Sequence, residues 1–446
     1  MKYGRILESV LIPAYYGLRG RSYPRHREFM ERSQWWSVEQ LQDFQWRELR
    51  RLLDHAFCSV PFYQKKYASA GIELGDIKTR EDFAKLPPLS RGEVNENRDS
   101  LCSKSSRDRL IPHATGGSSG VATRFYITLD SYDWRCAASA RAYSWSGYRI
   151  GERTLYLWGA PVGQVAPLQK AKLDGYRFVR RELSIPTFLQ TPELWQRAYE
   201  VALRFRPKFI VGYVSSLDRF ADFLLTRGLH IPEVQGVLAA AEPVSQSTRD
   251  IVQQAFRVPL FDTYGSREFM SIAAECAQHN GLHVHADNLL VETEQDASCG
   301  PTEFLVTDLH NYGMPFIRYR IGDLGTLSDS KCPCGRGLPL IKEIEGRALE
   351  VLRTRDGRSV SPILWRHVLK DVSEVREFQV QQTSVDEIVI SMVLARPLSE
   401  GSEMLLRGEM AKVFSPSTRL TIKPVDAIPR LLSGKRRLAV GIDQPA

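Results

Sequence analysis

Long apolar runs are absent from this chain of 446 residues. No stretch approaches the roughly 18 consecutive apolar residues that a membrane-spanning helix needs. The segment from Tyr3 to Arg21 is apolar and basic, but Pro13 interrupts it and it has no small-residue cleavage site, so we predict no signal peptide. Two interpretations of this segment stay open, a helix docked on the protein and a weak contact with a membrane surface. The whole sequence predicts a soluble, cytoplasmic protein.

Cysteine is scarce, and no disulfide framework is expected. The seven cysteines are an odd number spread over a long chain, which favours reduced thiols. The chain is long enough for two or three domains whose cores need no disulfide bonds.

Basic residues exceed acidic ones only moderately, 60 against 52, which gives a net charge of +8. The excess lies in short groups such as Arg47, Arg50 and Arg51 or Lys435–Arg437, and no motif for reading nucleic acid accompanies them. We therefore expect no nucleic-acid partner. The charge is either a solvated basic surface or a field that attracts anionic small molecules or lipids.

Helix and strand patterns alternate at short intervals through most of the chain. Ser37 and Gln40 form a predicted capping box for an amphipathic helix that ends before Pro61. Further on, the pattern predicts helices at 195–205, 217–226 and 247–256 and strands at 208–213, 236–241 and 259–264. This alternation predicts an α/β domain with a substantially parallel sheet, which we place at residues 1–346.

After Gly346 the pattern changes to a mixed α+β order. It predicts a hairpin near 349–357, a helix at 362–369, strands at 375–382 and 387–394, a helix at 403–413 and a strand at 419–424. Residues 347–446 are enough for a small, mobile lid domain.

One loop is rich in glycine and hydroxyl side chains. It comprises Thr115, Gly116, Gly117, Ser118, Ser119 and Gly120, and it precedes an apparent strand at 123–128. Glycines let a backbone approach phosphate closely, and N–H groups and hydroxyls donate to phosphate oxygens. The loop lacks the Gly-Lys-Ser/Thr ending of the common nucleotide loop. A flexible polar hairpin is therefore an equally good interpretation of these residues alone.

Two acidic motifs follow. Tyr264, Gly265, Ser266, Arg267 and Glu268 come directly after a predicted strand, at the sheet edge where α/β proteins bind ligands. A glutamate there can hold Mg2+ and a tyrosine can flank an adenine, although a helix start is the alternative.

Asp323, in Tyr319–Asp323, can accept from two ribose hydroxyls or can be an ordinary turn residue. The residues alone leave both interpretations open.

In this order, and with Ser433, Gly434 and Lys435 near the end, these segments resemble the core motifs of the adenylate-forming superfamily. Five further segments resemble its phenylacetate-CoA ligase-like branch and, within that branch, the capsular polysaccharide biosynthesis (CapK-type) proteins. The segments that carry this likeness are Val60–Tyr63, Ala241–Val244, Ala273–Cys276, Gly281–Asp287 and Cys332–Gly337. The resemblance covers the chain from about Trp35 to Lys435.

The resemblance implies a role for each matching residue. Thr115–Gly120 would be the phosphate loop, and the strand end Ala241, Glu242 and Pro243 would lie beside the adenine. Tyr264 would flank that ring within the nucleotide-binding turn Tyr264, Gly265 and Ser266. Glu268 would bind Mg2+ and Asp323 the ribose. Arg347 would lie at the domain junction near ribose and phosphate, and Lys435 would reach the α-phosphate and the carboxylate. Glu268, Arg347 and Lys435 are the predicted catalytic residues.

Three departures from the family pattern stand out. Arg267 occupies a position where threonine is commoner, and it would contact phosphate or substrate or pair with Glu268. The junction reads Gly346, Arg347, Ala348, Leu349, Glu350, so Glu350 is only the nearest candidate for the usual Asp or Lys pivot. The phosphate loop is poorer in threonine.

Cysteine and histidine form a second constellation. Cys332 and Cys334 lie in a Pro/Gly-rich loop, and Cys276 is followed by His279, His283 and His285. These residues could supply a four-ligand Zn2+ site, or the thiols could simply be reduced. The resemblance implies zinc, and we predict a closed, structural set of Cys276, His283, Cys332 and Cys334.

The predicted function is ATP-dependent activation of a carboxylic acid. ATP, Mg2+ and CoA are the expected cofactors and co-substrates, and the acyl group would pass from an acyl-adenylate to CoA. One alternative passes it to an amine or hydroxyl of a sugar or lipid-linked glycan, and another is a non-catalytic nucleotide-binding protein. Tyr143, Trp145 and Tyr148 either line an acyl or aryl pocket or belong to the core.

Overall fold

The computed structural model describes most of the chain. The described residues are 3–104, 110–115, 123–158, 167–187, 191–294, 302–347, 352–356, 359–360, 365, 368–369, 372, 374–414, 417–429 and 439–442. The chain divides into two compact units. The first comprises Met1–Val291, Val306–Tyr319 and Leu327–Lys342, and the second Glu292–Leu305, Arg320–Thr326 and Glu343–Ala446. The domain boundary expected after Gly346 stays a prediction.

Helices make up the first hundred residues. They are α1 (Tyr3–Ile6), a π-helical turn (Leu7–Leu11), α2 (Ile12–Leu18), α3 (Tyr23–Ser33), α4 (Val38–Ser59), α5 (Pro61–Ser69), a 3₁₀ turn (Leu74–Asp76), α6 (Arg80–Phe83), α7 (Arg91–Glu96) and α8 (Arg98–Leu101). The predicted capping box of α4 is confirmed, since Gln40 N donates to Ser37 Oγ at 3.2 Å and Ser37 N to Gln40 Oε1 at 2.9 Å. Among the described residues, no helix combines the length and apolar content needed to span a bilayer.

A hairpin and then alternating strands and helices follow in the first unit. They are β1 (Ile111–Ala114), β2 (Arg124–Ile127), α9 (Leu129–Ser144), β3 (Thr154–Trp158), α10 (Pro167–Arg180), β4 (Glu182–Pro186), α11 (Pro192–Phe205), β5 (Phe209–Tyr213), α12 (Val214–Thr226), β6 (Gly236–Ala240), α13 (Gln246–Phe256) and β7 (Leu260–Ser266). Strands β4, β3, β5, β6 and β7 are neighbours in that order and all run parallel. The predicted parallel α/β sheet is therefore confirmed.

The two strands after β7 run antiparallel to their neighbours. β8 (Met270–Glu275) runs antiparallel to β7, and β9 (Leu282–Val284) antiparallel to β8. Four further strands, β10 (Leu289–Glu294), β11 (Glu303–Asp308), β12 (Tyr319–Ser328) and β13 (Leu340–Arg347), are neighbours in that order. Helices α11, α12 and α13 bury their apolar faces against the parallel strands, and Leu157, Ile210, Phe220 and Val237 lie in that core. This packing holds the carboxyl ends of β3, β5, β6 and β7 at one edge of the sheet.

The C-terminal part of the second unit has its own sheet and core. Its elements are β14 (Leu352–Arg353), β15 (Ser359–Val360), β16 (Val375–Ser384), β17 (Glu387–Leu394), α14 (Glu400–Val413), β18 (Arg419–Pro424) and β19 (Ala439–Val440). Strands β18, β17, β16 and β19 form one sheet over a core that includes Trp365, Ile390 and Leu406. The predicted α+β character is confirmed, whereas most of the helix expected at 362–369 lies outside the described residues.

Candidate active site

Thr115, the first residue of the predicted phosphate loop, follows β1, and Thr123 precedes β2. Thr115 N donates to Thr123 O at 2.9 Å, and Thr123 N donates to Thr115 Oγ1 at 2.9 Å. These two bonds join the two ends of the loop. Gly116, Gly117, Ser118, Ser119 and Gly120 lie outside the described residues, so their predicted contact with phosphate stays a prediction.

The turn from β7 to β8 carries Tyr264 to Glu268. A Cβ on Gly265 would lie 1.9 Å from Met270 O, so a glycine is required there. Ser266 Oγ accepts a hydrogen bond from Phe269 N at 3.3 Å, and Met270 has a left-handed φ of 60°. The backbone of this turn is thus fixed by close contacts, which holds Glu268 in one position.

The carboxylate of Glu268 is buried, with 4% of the residue exposed. Tyr319 Oη donates to its Oε1 at 3.2 Å, and Arg91 Nη2 lies 3.6 Å from the same oxygen. Burial raises the pKa of Tyr319 above its ordinary value, so its hydroxyl keeps the proton that it donates. A single carboxylate fits a magnesium site, because Mg2+ takes one or two carboxylates and fills its other positions with water and phosphate oxygens.

Sequence reasoning missed Arg91 and gave Tyr319 no role. Arg91 is the first residue of α7, and Leu89, two residues earlier, donates its N–H to Arg318 O at 3.0 Å. That bond brings the start of α7 beside Tyr319. The Ser90 and Glu93 capping box was a sequence signal for the helix start. It carried no information about the partner of Arg91.

Ala241 and Tyr264 follow neighbouring positions of two parallel strands, since Ala240 of β6 pairs with Thr263 of β7. Ala241 has a φ of 70°, a left-handed conformation that costs a non-glycine residue about 1 kcal/mol or more. Strain of this kind is concentrated at binding sites. The structure thus brings together the two segments predicted to flank adenine.

Glu242 has a structural contact of its own. Its carboxylate accepts from Ser215 N at 2.6 Å and from Ser215 Oγ at 3.2 Å, near the start of α12. The helix dipole favours a negative charge at that end. This contact anchors the strand end beside Pro243.

Arg267 is exposed, and it lies near β1. Burial first, and then the cations Arg135 and Arg267, lower the pKa of His113 on β1. The charge of Arg267 therefore reaches the strand that leads into the phosphate loop. Positive charge there would favour a polyphosphate. Among the residues that the structure describes, the cation within 4 Å of Glu268 is Arg91, which is 177 positions away from Glu268 in the sequence.

The remaining predicted nucleotide-binding and catalytic residues belong to the second unit. Asp323 lies in β12 after Gly322, whose φ is 82° and whose N–H donates to Glu303 Oε1 at 3.2 Å. Arg347 ends β13, and nothing is described of its side chain. Lys435 and the predicted pivot Glu350 lie outside the described residues. The roles of these residues stay predictions.

Cys276, His283, Cys332 and Cys334 do come together. Their donor atoms all lie within 4.8 Å of one another. Cys276 Sγ is 3.7 Å from Cys332 Sγ, and Cys334 Sγ is 3.3 Å from His283 Nε2. Tetrahedral zinc with bonds of about 2.3 Å to sulfur would separate two sulfur atoms by about 3.7 Å, so the donors fit zinc.

The electrostatics of the cluster differ from ligand to ligand. Burial raises the pKa of Cys276 to about 12 and also raises that of Cys332. Burial and the nearby Arg336 lower the pKa of His283 to about 4, which keeps the imidazole neutral at pH 7. Burial raises the pKa of Cys334, but hydrogen bonds from the backbone N–H and the guanidinium of Arg336 hold that pKa below its ordinary value.

The three aromatic residues considered for an acyl pocket separate. Trp145 is buried beside the cysteine cluster, and its Nε1 donates to Gln34 Oε1 at 2.9 Å. Tyr143 and Tyr148 line a cavity, and Tyr143 also packs against the cluster that contains Trp145.

Comparison with known proteins finds relatives of the kind that the motifs resemble. Residues 352–441 match the family model described as the CapK C-terminal domain. Protein CapK of Staphylococcus aureus is 23% identical over 375 residues, which cover 81% of this chain and 81% of that protein. The phenylacetate-coenzyme A ligase of Pseudomonas putida is 25% identical over 399 residues, covering 84% of this chain and 88% of that protein. The predicted family resemblance is confirmed.

Solved structures of CoA ligases share the fold of this chain. The crystal structure of 2-hydroxyisobutyryl-CoA ligase in the postadenylation state aligns with a TM-score of 0.70 at 19% identity. The alignment covers 92% of this chain and 91% of that one. The predicted adenylate-forming fold with a small C-terminal domain is thus confirmed. The relatives also support the prediction of an AMP-forming ligase and, more coarsely, of an adenylate-forming acyl-CoA ligase.

Proposed function

We propose that this chain is an ATP-dependent acid–CoA ligase that works through an acyl-adenylate. The observation that supports this most is the buried carboxylate of Glu268, held by the Tyr319 hydroxyl and the Arg91 guanidinium on the turn after β7. That turn adjoins the strained Ala241 at the carboxyl edge of the parallel sheet. Ligands of α/β proteins bind at this edge.

Each of the predicted nucleotide-binding residues has its own role. Thr115–Gly120 take the phosphates, Ala241–Pro243 and Tyr264 with Gly265 and Ser266 enclose the adenine, and Asp323 accepts from the ribose. Glu268 is the protein ligand for Mg2+, which neutralises phosphate charge. Arg91 and Tyr319 orient that carboxylate.

The chemistry has two steps. A carboxylate oxygen of the acid forms a bond to the α-phosphorus, and the bond from that phosphorus to the diphosphate oxygen breaks. The CoA thiol then attacks the acyl carbon, AMP leaves, and the thiol proton is released to solvent. Lys435 and Arg347 stabilise the charge that develops in the first step, since transfer at phosphorus depends mainly on positioning and electrostatics.

The cysteine cluster is proposed as a structural zinc site. Cys276 and His283 come from the β8–β9 hairpin, and Cys332 and Cys334 come from the segment between β12 and β13. Four protein ligands leave no open position, so zinc there would link these segments without joining the reaction.

Acid-dependent exchange of labelled diphosphate into ATP tests the function directly. A panel of aryl, alkyl and hydroxy acids is offered to the purified chain with Mg2+. Exchange that depends on one acid class supports adenylate formation. No exchange with any acid, from protein that binds ATP, would favour a non-catalytic nucleotide-binding protein.

The acceptor has a second candidate, an amine or hydroxyl of a sugar or lipid-linked glycan. The match of residues 352–441 to the CapK C-terminal domain supports a sugar or lipid-linked glycan as this second acceptor. Mass analysis of products with and without CoA separates the two. A thioester that forms only with CoA supports the ligase, whereas an ester or amide formed without CoA supports the glycan acceptor. We place either reaction in the cytoplasm.

The N-terminal segment is a proposed contact with a membrane surface. It exposes Val10, Leu11, Tyr15 and Leu18, and the neighbouring α10 exposes Leu168, Tyr176, Phe178 and Val179. Tyr3 Oη donates to Val179 O at 2.6 Å, so the two elements are adjacent. Basic residues such as Arg19 and Lys172 lie on the same elements, which matches an anionic lipid surface.

A further inference from the structure

A large cavity lies within the first unit. Its volume is about 1150 Å³, and its walls come from the N-terminal helices, α9, α10 and one face of β3 and β4. Pockets for drug-sized ligands are roughly 300 to 1000 Å³. The space exceeds what a small acid such as phenylacetate fills.

The cavity runs along β3. Trp158 lines it at the carboxyl end of that strand, and Met270, two residues after Glu268, lines it as well. Tyr148 also lines it and contacts the ring of Phe209, whose backbone pairs with Thr154 at the opposite end of β3. The five residues of β3 rise by about 13 Å from end to end. The cavity therefore reaches from the turn that holds Glu268 to the amino end of the strand.

Hydroxyl groups are unusually frequent in the lining. Eight tyrosines contribute to it, and Tyr143, Tyr148 and Tyr156 are among them. Tyr148 is 3% exposed, and its hydroxyl has no hydrogen-bond partner among the described residues. Burial raises its pKa, so the hydroxyl is a protonated donor. A buried donor without an acceptor destabilises a protein unless a ligand or an ordered water completes the bond.

Basic side chains outnumber acidic ones in the described lining. Arg180 and Glu182 line the cavity and pair at 2.6 Å, and Glu182 is opposite Thr154 in the β3–β4 register. Arg19, Lys172 and Arg177 also line the cavity, and Glu182 is the acidic side chain among its described lining residues. The net positive lining favours a ligand with an anionic or strongly accepting group.

We propose that this cavity holds the body of the acid substrate, a long amphiphilic carboxylic acid with a second polar or anionic group at its far end. The reacting carboxylate lies near Met270 and Glu268, the apolar body lies along Trp158 and Tyr156, and the far group accepts from Tyr148 and faces Arg180. The substrate class rests on the proposed function, but the binding of an acid in the cavity can be measured without turnover.

Hexadecanedioate is the probe, with palmitate and phenylacetate as comparisons. Isothermal titration calorimetry on the full chain without nucleotide measures binding, and diphosphate exchange measures activation. We expect hexadecanedioate to bind at least tenfold more tightly than phenylacetate and to drive exchange. Exchange with phenylacetate but neither binding nor exchange with hexadecanedioate would overturn the proposal and leave the function standing. Binding of hexadecanedioate with no exchange for any acid would support the cavity and reject the function.

Two variants locate the binding. Ala140→Trp places a large ring into the cavity from α9, whereas Leu129→Trp adds the same ring at an exposed position of that helix and is the matched control. Ala140→Trp should weaken hexadecanedioate binding at least tenfold and Leu129→Trp should not. Equal affinities for the two variants would overturn the proposal.

Tyr148→Phe keeps the ring and removes the unpartnered hydroxyl, so it tests the far group even if Ala140→Trp fails to fold. It should weaken hexadecanedioate binding about tenfold, leave palmitate binding unchanged and leave the melting temperature unchanged or higher. Equal losses for the two acids would contradict recognition of a polar far end.

Discussion

Tyr319 donates a hydrogen bond to Glu268 across 3.2 Å, and both residues are buried. The tyrosine belongs to the motif from which sequence reasoning chose only Asp323. Because its hydroxyl fixes one carboxylate oxygen, Tyr319 is a positioning residue for the proposed metal ligand.

Glu268→Gln should reduce acid-dependent exchange by roughly a hundredfold or more, about 3 kcal/mol of lost stabilisation, because the amide cannot carry the charge that Mg2+ needs. Exchange at rising Mg2+ concentrations measures the effect. Tyr319→Phe is the comparison, and it should raise the Mg2+ concentration needed for half-maximal rate more than it lowers the maximal rate. An unchanged rate in Glu268→Gln would remove this carboxylate from the reaction.

Lys435→Ala should slow adenylate formation by roughly a hundredfold, also about 3 kcal/mol, because the lysine would contact charge that develops only during the reaction. Its folding stability should hardly change. Lys423→Ala, an exposed lysine in β18, is the matched control and should retain the full rate. Equal rates for the two variants would exclude the proposed role of Lys435.

The purified chain should contain about one equivalent of zinc, and Cys332→Ser should lose the metal and thermal stability together. Atomic emission and thermal melts measure the two quantities. Cys58→Ser, an exposed cysteine outside the cluster, should lose neither. Protein prepared without chelator that holds no zinc would contradict the proposal.

Glu350→Pro should hinder acyl transfer more than adenylate formation, because proline fixes a backbone dihedral where a lid carrying Lys435 would turn between the two steps. Single-turnover assays separate the steps. Equal slowing of both, or of neither, would argue against a pivot at Gly346–Glu350.

The chain should sediment with anionic vesicles of phosphatidylglycerol at low salt and bind phosphatidylcholine vesicles less, since apolar and basic groups act together. The double variant Leu18→Ser and Phe178→Ser should bind several-fold less, because these residues are 91% and 83% exposed. Met404→Ser removes an exposed apolar side chain from the second unit and should bind like the wild type. A lack of wild-type binding would end the proposal.

The sequence by itself determined the helix starts, the order of strands and helices, and the residue types of the short motifs. The reciprocal bonds of Ser37 and Gln40 involve residues three apart, so the start of α4 followed from the pattern alone. The alternation of strands and helices from 192 to 266 has the same local origin, because each element shows its own apolar period. The glycine loop and Tyr264–Glu268 were recognisable since their residue types are unusual in short segments.

Only the tertiary structure decided which distant side chains meet. Arg91 reaches Glu268 because the bond from Leu89 to Arg318 places α7 beside Tyr319, and no periodicity records a contact between residues so far apart. Tyr143, Trp145 and Tyr148 are close in sequence, yet Tyr143 and Tyr148 line the cavity, whereas Trp145 is buried beside the cysteine cluster. The cavity itself exists because the N-terminal helices and α10 pack around one face of β3 and β4, and the volume between packed elements depends on their arrangement rather than on any segment alone.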